Sequence, residues 1–139
     1  MAADANKLLV QRLVRDVQEG GQLALVDQLF AEDFVDHTPL PGLAATRDGV
    51  RMLFGGMLAA FPDLKITIEE QVAEGEKVVT RKTFEGTHRG DFMGIPASGN
   101  SIAFSVIDIL TVRDGRFRDH RVVLDQLQLL RQLGAMPAA

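Results

Sequence analysis

Residues 104–125, FSVIDILTVRDGRFRDHRVVLD, are two apolar runs split by Asp114-Gly115. An Asp-Gly pair between such runs predicts a β-hairpin. Its two-residue turn needs positive φ, which Gly tolerates freely and Asp better than most residues. Regular pairing then sets Arg113 opposite Arg116 and, outward on one face, Thr111 opposite Arg118, Ile109 opposite His120, Ile107 opposite Val122 and Ser105 opposite Leu124. Leu110/Asp119, Asp108/Arg121, Val106/Val123 and Phe104/Asp125 fall on the other face, because side chains alternate along a strand. One face is thus apolar with a single imidazole. The other is apolar with an Asp108–Arg121 pair, read as a structural or interface contact.

Upstream, Leu9, Leu13, Val14 and Val17 share one face of a helix over 4–19, which Gly20-Gly21 stops. A short helix over about 22–31 completes a helical hairpin, with Leu23, Val26, Leu29 and Phe30 inward. Phe34 to His37 suggests a short strand before a Pro-rich loop that suits a cavity rim. Thr46 is an N-cap with Asp48 near the positive end of the helix dipole. Val50, Leu53, Phe54, Met57, Leu58 and Phe61 then follow helical spacing until Pro62. That apolar stripe reads as core packing rather than a cofactor box. Strands follow at 64–68 and 77–87, then a breaker-rich loop at 86–99, then strands at 101–113 and 116–124. Asp125 with Gln128 has capping-box spacing, Leu127, Leu130 and Leu133 form a buried edge, and Gly134 is the C-cap. The Ala-Pro tail is expected to fray. Helices followed by a strand meander mean an α+β fold, with the helices on one face of a strongly curved antiparallel sheet.

The 139 residues suit a single domain, 1–139. A net charge of −4 gives no electrostatic reason to expect nucleic acid or an acidic membrane as partner. The absence of Cys removes disulfides and thiolate chemistry. The first residues lack a basic segment followed by an apolar one, and no apolar run approaches a membrane span, so a cytoplasmic location is expected.

The loop GTHRGDFMGIPASG (86–99) resembles that of SnoaL-like polyketide cyclases. So do Ile107-Asp108-Ile109 followed by DGRFRDH (114–120), the ending DQLQLLRQLG (125–134), and Phe34 to His37. The resemblance spans roughly residues 8–134. It implies the NTF2-like fold, a cone of curved antiparallel sheet closed by N-terminal helices with a short C-terminal helix. It also implies a deep pocket for a small hydrophobic substrate, and a homodimer or higher oligomer packed through the sheet. The characterised cyclases of the family, which serve antibiotic biosynthesis, close a ring by intramolecular aldol addition without metal or cofactor. They use a carboxylate on the last long strand as acid/base. The position matched to it here is His120, while Asp119 falls on the opposite face.

His120 therefore stands as candidate acid/base, set among Ile107, Ile109 and Val122, against the alternative of a buried structural histidine. Arg81, beside Thr83 on one strand face, is a candidate to stabilise an enolate oxygen, or else a surface ion-pair partner of Glu69 or Glu85. His37 at the rim and His88 in the loop are candidate substrate contacts, with local structural roles as the alternative. Phe34, Phe54, Met57 and Phe61 are expected to hold substrate rings, with Ser105, Ile107 and Val122 beside them. Histidines 37, 88 and 120 match no ligand motif, so no metal is expected, and the resemblance implies no cofactor. The resemblance implies a cyclase or isomerase using aldol-type acid/base chemistry. The rivals are a non-catalytic ligand-binding or dimeric interaction module of the same fold, and a cofactor-independent hydroxylase. An epoxide hydrolase fits less well, because Val122 stands where its carboxylate is wanted.

Overall fold

A computed structural model describes residues 2–136. The expected tail at 137–139 lies outside the described residues. Helix α1 (Ala2–Arg12) runs on as a π-helical segment, Leu13–Glu19, rather than as one regular helix. Val10, Leu13, Val14, Val17 and Gln18 are buried along it. After Gly21, at φ 73°, a 3₁₀ turn (Leu23–Leu25) and α2 (Val26–Leu29) lead directly into β1, Phe30–Asp36. The expected strand thus starts earlier than its apolar core suggested. Helix α3, Arg47–Ala60, is capped by Thr46, whose hydroxyl accepts from the Gly49 N–H. Strands β2 (Lys65–Glu74), β3 (Lys77–Thr87), β4 (Ser101–Arg113) and β5 (Arg116–Leu124) follow, then α4, Gln126–Gln132. Asp125 caps α4 by accepting from the Gln128 N–H at 3.0 Å.

The five strands form one sheet in the order β1-β5-β4-β3-β2. The last four are antiparallel neighbours, and β1 lies parallel to β5 at the edge, so the sheet is mixed. Buried side chains form two clusters between helices and sheet. One gathers α1, α2, β1 and the β4–β5 turn end around Phe30, Phe34 and Phe117. The other gathers the far ends of β2–β4 with Phe61, Phe92, Leu129 and Leu133.

The hairpin turn is as read: Asp114 and Gly115 take φ of 53° and 73°, and Arg113 faces Arg116. Beyond it the pairing differs from the regular one. Val112 faces Phe117, but Thr111 faces Asp119, so Arg118 is an extra residue in a β-bulge. Every later pair moves by one: Leu110 faces His120, Ile109 faces Arg121, Asp108 faces Val122 and Ile107 faces Val123. A one-residue shift exchanges partners across the faces. His120 therefore shares its face with Leu110 and Asp108, not with Ile107 and Ile109. The expected Asp108–Arg121 pair does not exist; Asp108 is buried and Arg121 exposed.

Candidate functional site

A cavity of about 120 Å³ opens between α3 and the sheet. Its walls are apolar: Phe30 and Phe34 from β1, Phe54 and Met57 from α3, Phe84, Phe104 and Val106 from the sheet, and Phe92 with Met93 from the 86–99 loop. Met93 reaches it from a positive φ of 52°, next to Gly94 at 76°. The polar groups at the cavity are few: Gln18, Asp36, Thr38, Lys82, Asp108, His120 and Gln126.

Asp36 ends β1, where parallel pairing sets it beside His120 of β5. His120 Nδ1 lies 3.2 Å from Asp36 Oδ1, which also accepts from the Thr38 N–H at 3.0 Å. Burial raises the Asp36 carboxyl, but these two hydrogen bonds and the nearby histidines outweigh it and hold the group below the ordinary value of 3.8. An ionised Asp36 is an acceptor only, so it accepts a hydrogen bond from Nδ1–H, the tautomer that leaves the Nε2 lone pair free. Nε2 has no hydrogen-bond partner among the described residues and is not enclosed. The geometry is that of a base oriented by a carboxylate.

A second polar pair lies deeper. Lys82 Nζ is 2.7 Å from Asp108 Oδ2, with the two side chains 2% and 5% exposed. Lys82 shares the inward face of β3 with Val78, Thr80 and Phe84, all buried.

Several expected site residues lie elsewhere. Arg81 and Thr83 occupy the outer face of β3, where alternation puts them once Lys82 points inward; Arg81 Nε bonds Glu70 at 2.7 Å and Thr83 bonds Glu69 at 2.9 Å. Arg81 is therefore not in place to meet an enolate inside the cavity. Ser105 and Ile107 are exposed on the outer face of β4, for the register reason given above. Phe61 is fully buried in the second cluster, beside His88 and Phe92, and does not line the cavity. His88 is also fully buried, its Nδ1 bonded to the Ser98 N–H and hydroxyl, so it ties the 86–99 loop together. His37 stands at the rim, Nε2 3.7 Å from Asp119 Oδ2, and does not line the cavity. Phe34, Phe54, Met57, His120 and Val122 do line it. Asp36, Lys82 and Asp108, which the sequence reading does not place at the cavity, also line it. Their signal was a charge set within an otherwise apolar inward row.

Among the described residues, no group of three His, Asp or Glu side chains converges as a metal cage, and no helix is long and apolar enough to cross a membrane.

A curved sheet closed by helices over an apolar pocket with a few polar groups is a small-molecule site of the NTF2-like fold. The solved structure of TsrD from Streptomyces laurentii is similar at a TM-score of 0.86 and 30% identity, over 96% of this chain and 97% of that one. AclR, a candidate hydroxylase from Streptomyces galilaeus, is similar at a TM-score of 0.86 and 26% identity, over 99% and 89%. A family model described as SnoaL-like polyketide cyclase matches residues 8–133, and the chain belongs to that family. Aklanonic acid methyl ester cyclase DnrD of Streptomyces peucetius is 35% identical over 65 residues, 47% of this chain and 45% of that protein. The corresponding cyclase DauD of Streptomyces sp. (strain C5) is 37% identical over 60 residues, 43% of this chain and 37% of that protein. Each match spans less than half the length of the curated relative.

Proposed function

We propose that this chain is a cofactor-free acid/base catalyst that cyclises or isomerises a hydrophobic, ring-bearing, polyketide-like substrate. The observation that carries this reading is the Asp36–His120 pair, with Nε2 unpaired among the described residues at a mostly apolar cavity. In the proposed reaction Nε2 takes a proton from a carbon next to a carbonyl, and the C–H pair becomes an enolate. The enolate carbon attacks a second carbonyl of the same molecule, forming the new C–C bond. The imidazolium returns its proton to the alkoxide. For isomerisation the proton goes back to a different carbon. Asp36 orients the ring and balances the imidazolium. Phe34, Phe54, Met57 and Val122 hold the rings.

Proton abstraction can be tested without the natural substrate. In deuterated buffer, the protein should speed deuterium uptake next to the carbonyl of an aryl β-keto ester, followed by NMR. His120→Ala should reduce that rate by about 100- to 10,000-fold while keeping the native circular dichroism. Full exchange in a folded His120→Ala protein would sink the proposal. The likeness to AclR favours a second reading, a cofactor-independent hydroxylase, in which the same base would act first and oxygen uptake would accompany turnover. We also propose that two copies associate through the outer face of the sheet.

A further inference from the structure

We propose that Lys82 and Asp108 form a second recognition point at the cavity floor, which binds a hydroxyl of the substrate at Asp108 Oδ1. This rests on the ring-binding cavity of the preceding section and names a feature of what it takes.

Asp108 is 4% exposed, and its Oδ1 has no hydrogen-bond partner among the described residues, while its Oδ2 is taken by Lys82. Both residues line the cavity. A buried carboxylate oxygen left unpaired is costly, and the cost is removed by whatever donor reaches it. Paired to a cation, the carboxylate accepts hydrogen bonds and donates none. The ligand must therefore bring the proton: a phenolic or enolic hydroxyl satisfies it, whereas an ether or a ketone leaves it unpaired. A lysine this deep without its anion would be a buried unpaired charge.

The pair also stands in a definite place relative to the base. Asp108 faces Val122 and His120 faces Leu110, so Asp108 and His120 are diagonal neighbours on one face of adjacent strands. Such diagonals are about 7–8 Å apart. One ring can place a hydroxyl on Asp108 and present its opposite edge to His120. The inferred ligand is thus a hydroxylated aromatic or enolised ring, read at the floor and deprotonated nearer the rim.

The chain has no Trp and no Tyr, so a naphthalene probe can be followed by its own fluorescence. Wild-type protein should bind 2-naphthol about 10- to 100-fold more tightly than 2-methoxynaphthalene, as for a hydrogen bond to a charged acceptor. Replacing the whole pair, Lys82→Met with Asp108→Leu, avoids leaving a lone buried charge. That variant should bind both probes equally while still binding the ether. His120→Ala should keep the preference. Equal affinities in the wild type, or a preference that survives the double substitution, overturn this inference and leave the proposed acid/base function standing. Loss of the preference in His120→Ala assigns the hydroxyl to His120 and also overturns it. If neither probe binds, the ring-binding cavity fails, and this inference with it. If the double variant does not fold, the wild type and His120→Ala decide.

Discussion

Asp36 ends β1 within hydrogen-bond reach of the His120 ring. Its Oδ1 takes hydrogen bonds from both the imidazole and the Thr38 N–H, and the second bond fixes the carboxylate at the end of β1. The sign of the resulting pH dependence follows from the lowered carboxyl. As pH falls, the unfolded chain takes up the proton first, near 3.8, while the folded chain resists until lower pH. The stability Asp36 contributes is therefore complete above the unfolded value and is lost as pH falls through the folded one. The Asp119 carboxyl is lowered too: burial raises it, but the Thr111 hydroxyl and the charges of Lys77, His37 and Arg121 outweigh that, so it adds to the same acid limb. Asp36→Asn should cost about 1–3 kcal/mol near neutrality and flatten the loss of stability between about pH 5 and pH 2. Urea unfolding across that range measures both, and an unchanged acid limb would show that the pair carries no such linkage.

The register of β4 on β5 sets which side chains His120 meets. The native chain lacks Cys, so engineered pairs can read it directly. Ile107→Cys with Val123→Cys places thiols on residues that face each other, and should form an intramolecular disulfide in dilute oxidising buffer. Ile107→Cys with Val122→Cys matches regular pairing without the bulge, and should stay reduced because Val122 turns to the other face. Mass spectrometry of the non-reduced digest distinguishes the two. The elements that could be read from sequence are those set by short-range chemistry. The Asp114-Gly115 turn needs positive φ, Asp125 reaches only to the Gln128 N–H, and the α3 stripe repeats every helical turn. The bulge has no such marker, because Arg118 is an ordinary strand residue. Its trace is a change of parity: Phe117 is buried at an odd position, whereas His120, Val122 and Leu124 line the cavity at even ones. The site followed the register. His120 and Val122 line the cavity as the sequence reading has them, whereas regular pairing sends Asp108 outward and Ile107 inward, the reverse of the structure. Lys82 and Asp36 are not legible in sequence, because a charge in an apolar row has meaning only through its partner on the neighbouring strand.

At the scale of the molecule, the sheet has one face under the helices and one left open. The open face carries Ile107 at 46% and Val123 at 76% exposure, directly opposite each other, and Val72 at 63% opposite Val79. Apolar side chains clustered on an open sheet face fit the proposed association of two copies. The sheet edges are unsuited to that role. Strand β2 presents Lys65, Glu69, Glu70 and Glu74, and β1 presents Glu32 and Asp33; all six are exposed, and such charges discourage edge-to-edge pairing. Face-to-face packing of two copies is therefore the arrangement we expect. Sedimentation velocity should give twice the mass of one chain at micromolar concentration. Val123→Glu should yield the single-chain mass, with unfolding free energy changed by less than about 0.5 kcal/mol in the separated chain, because so exposed a side chain contributes little to its own core. The cavity lies on the other face of the same strands, so naphthalene-probe affinity should survive the substitution. A wild-type protein that sediments as one chain would remove the proposed dimer while leaving the cavity and its two polar pairs unaffected.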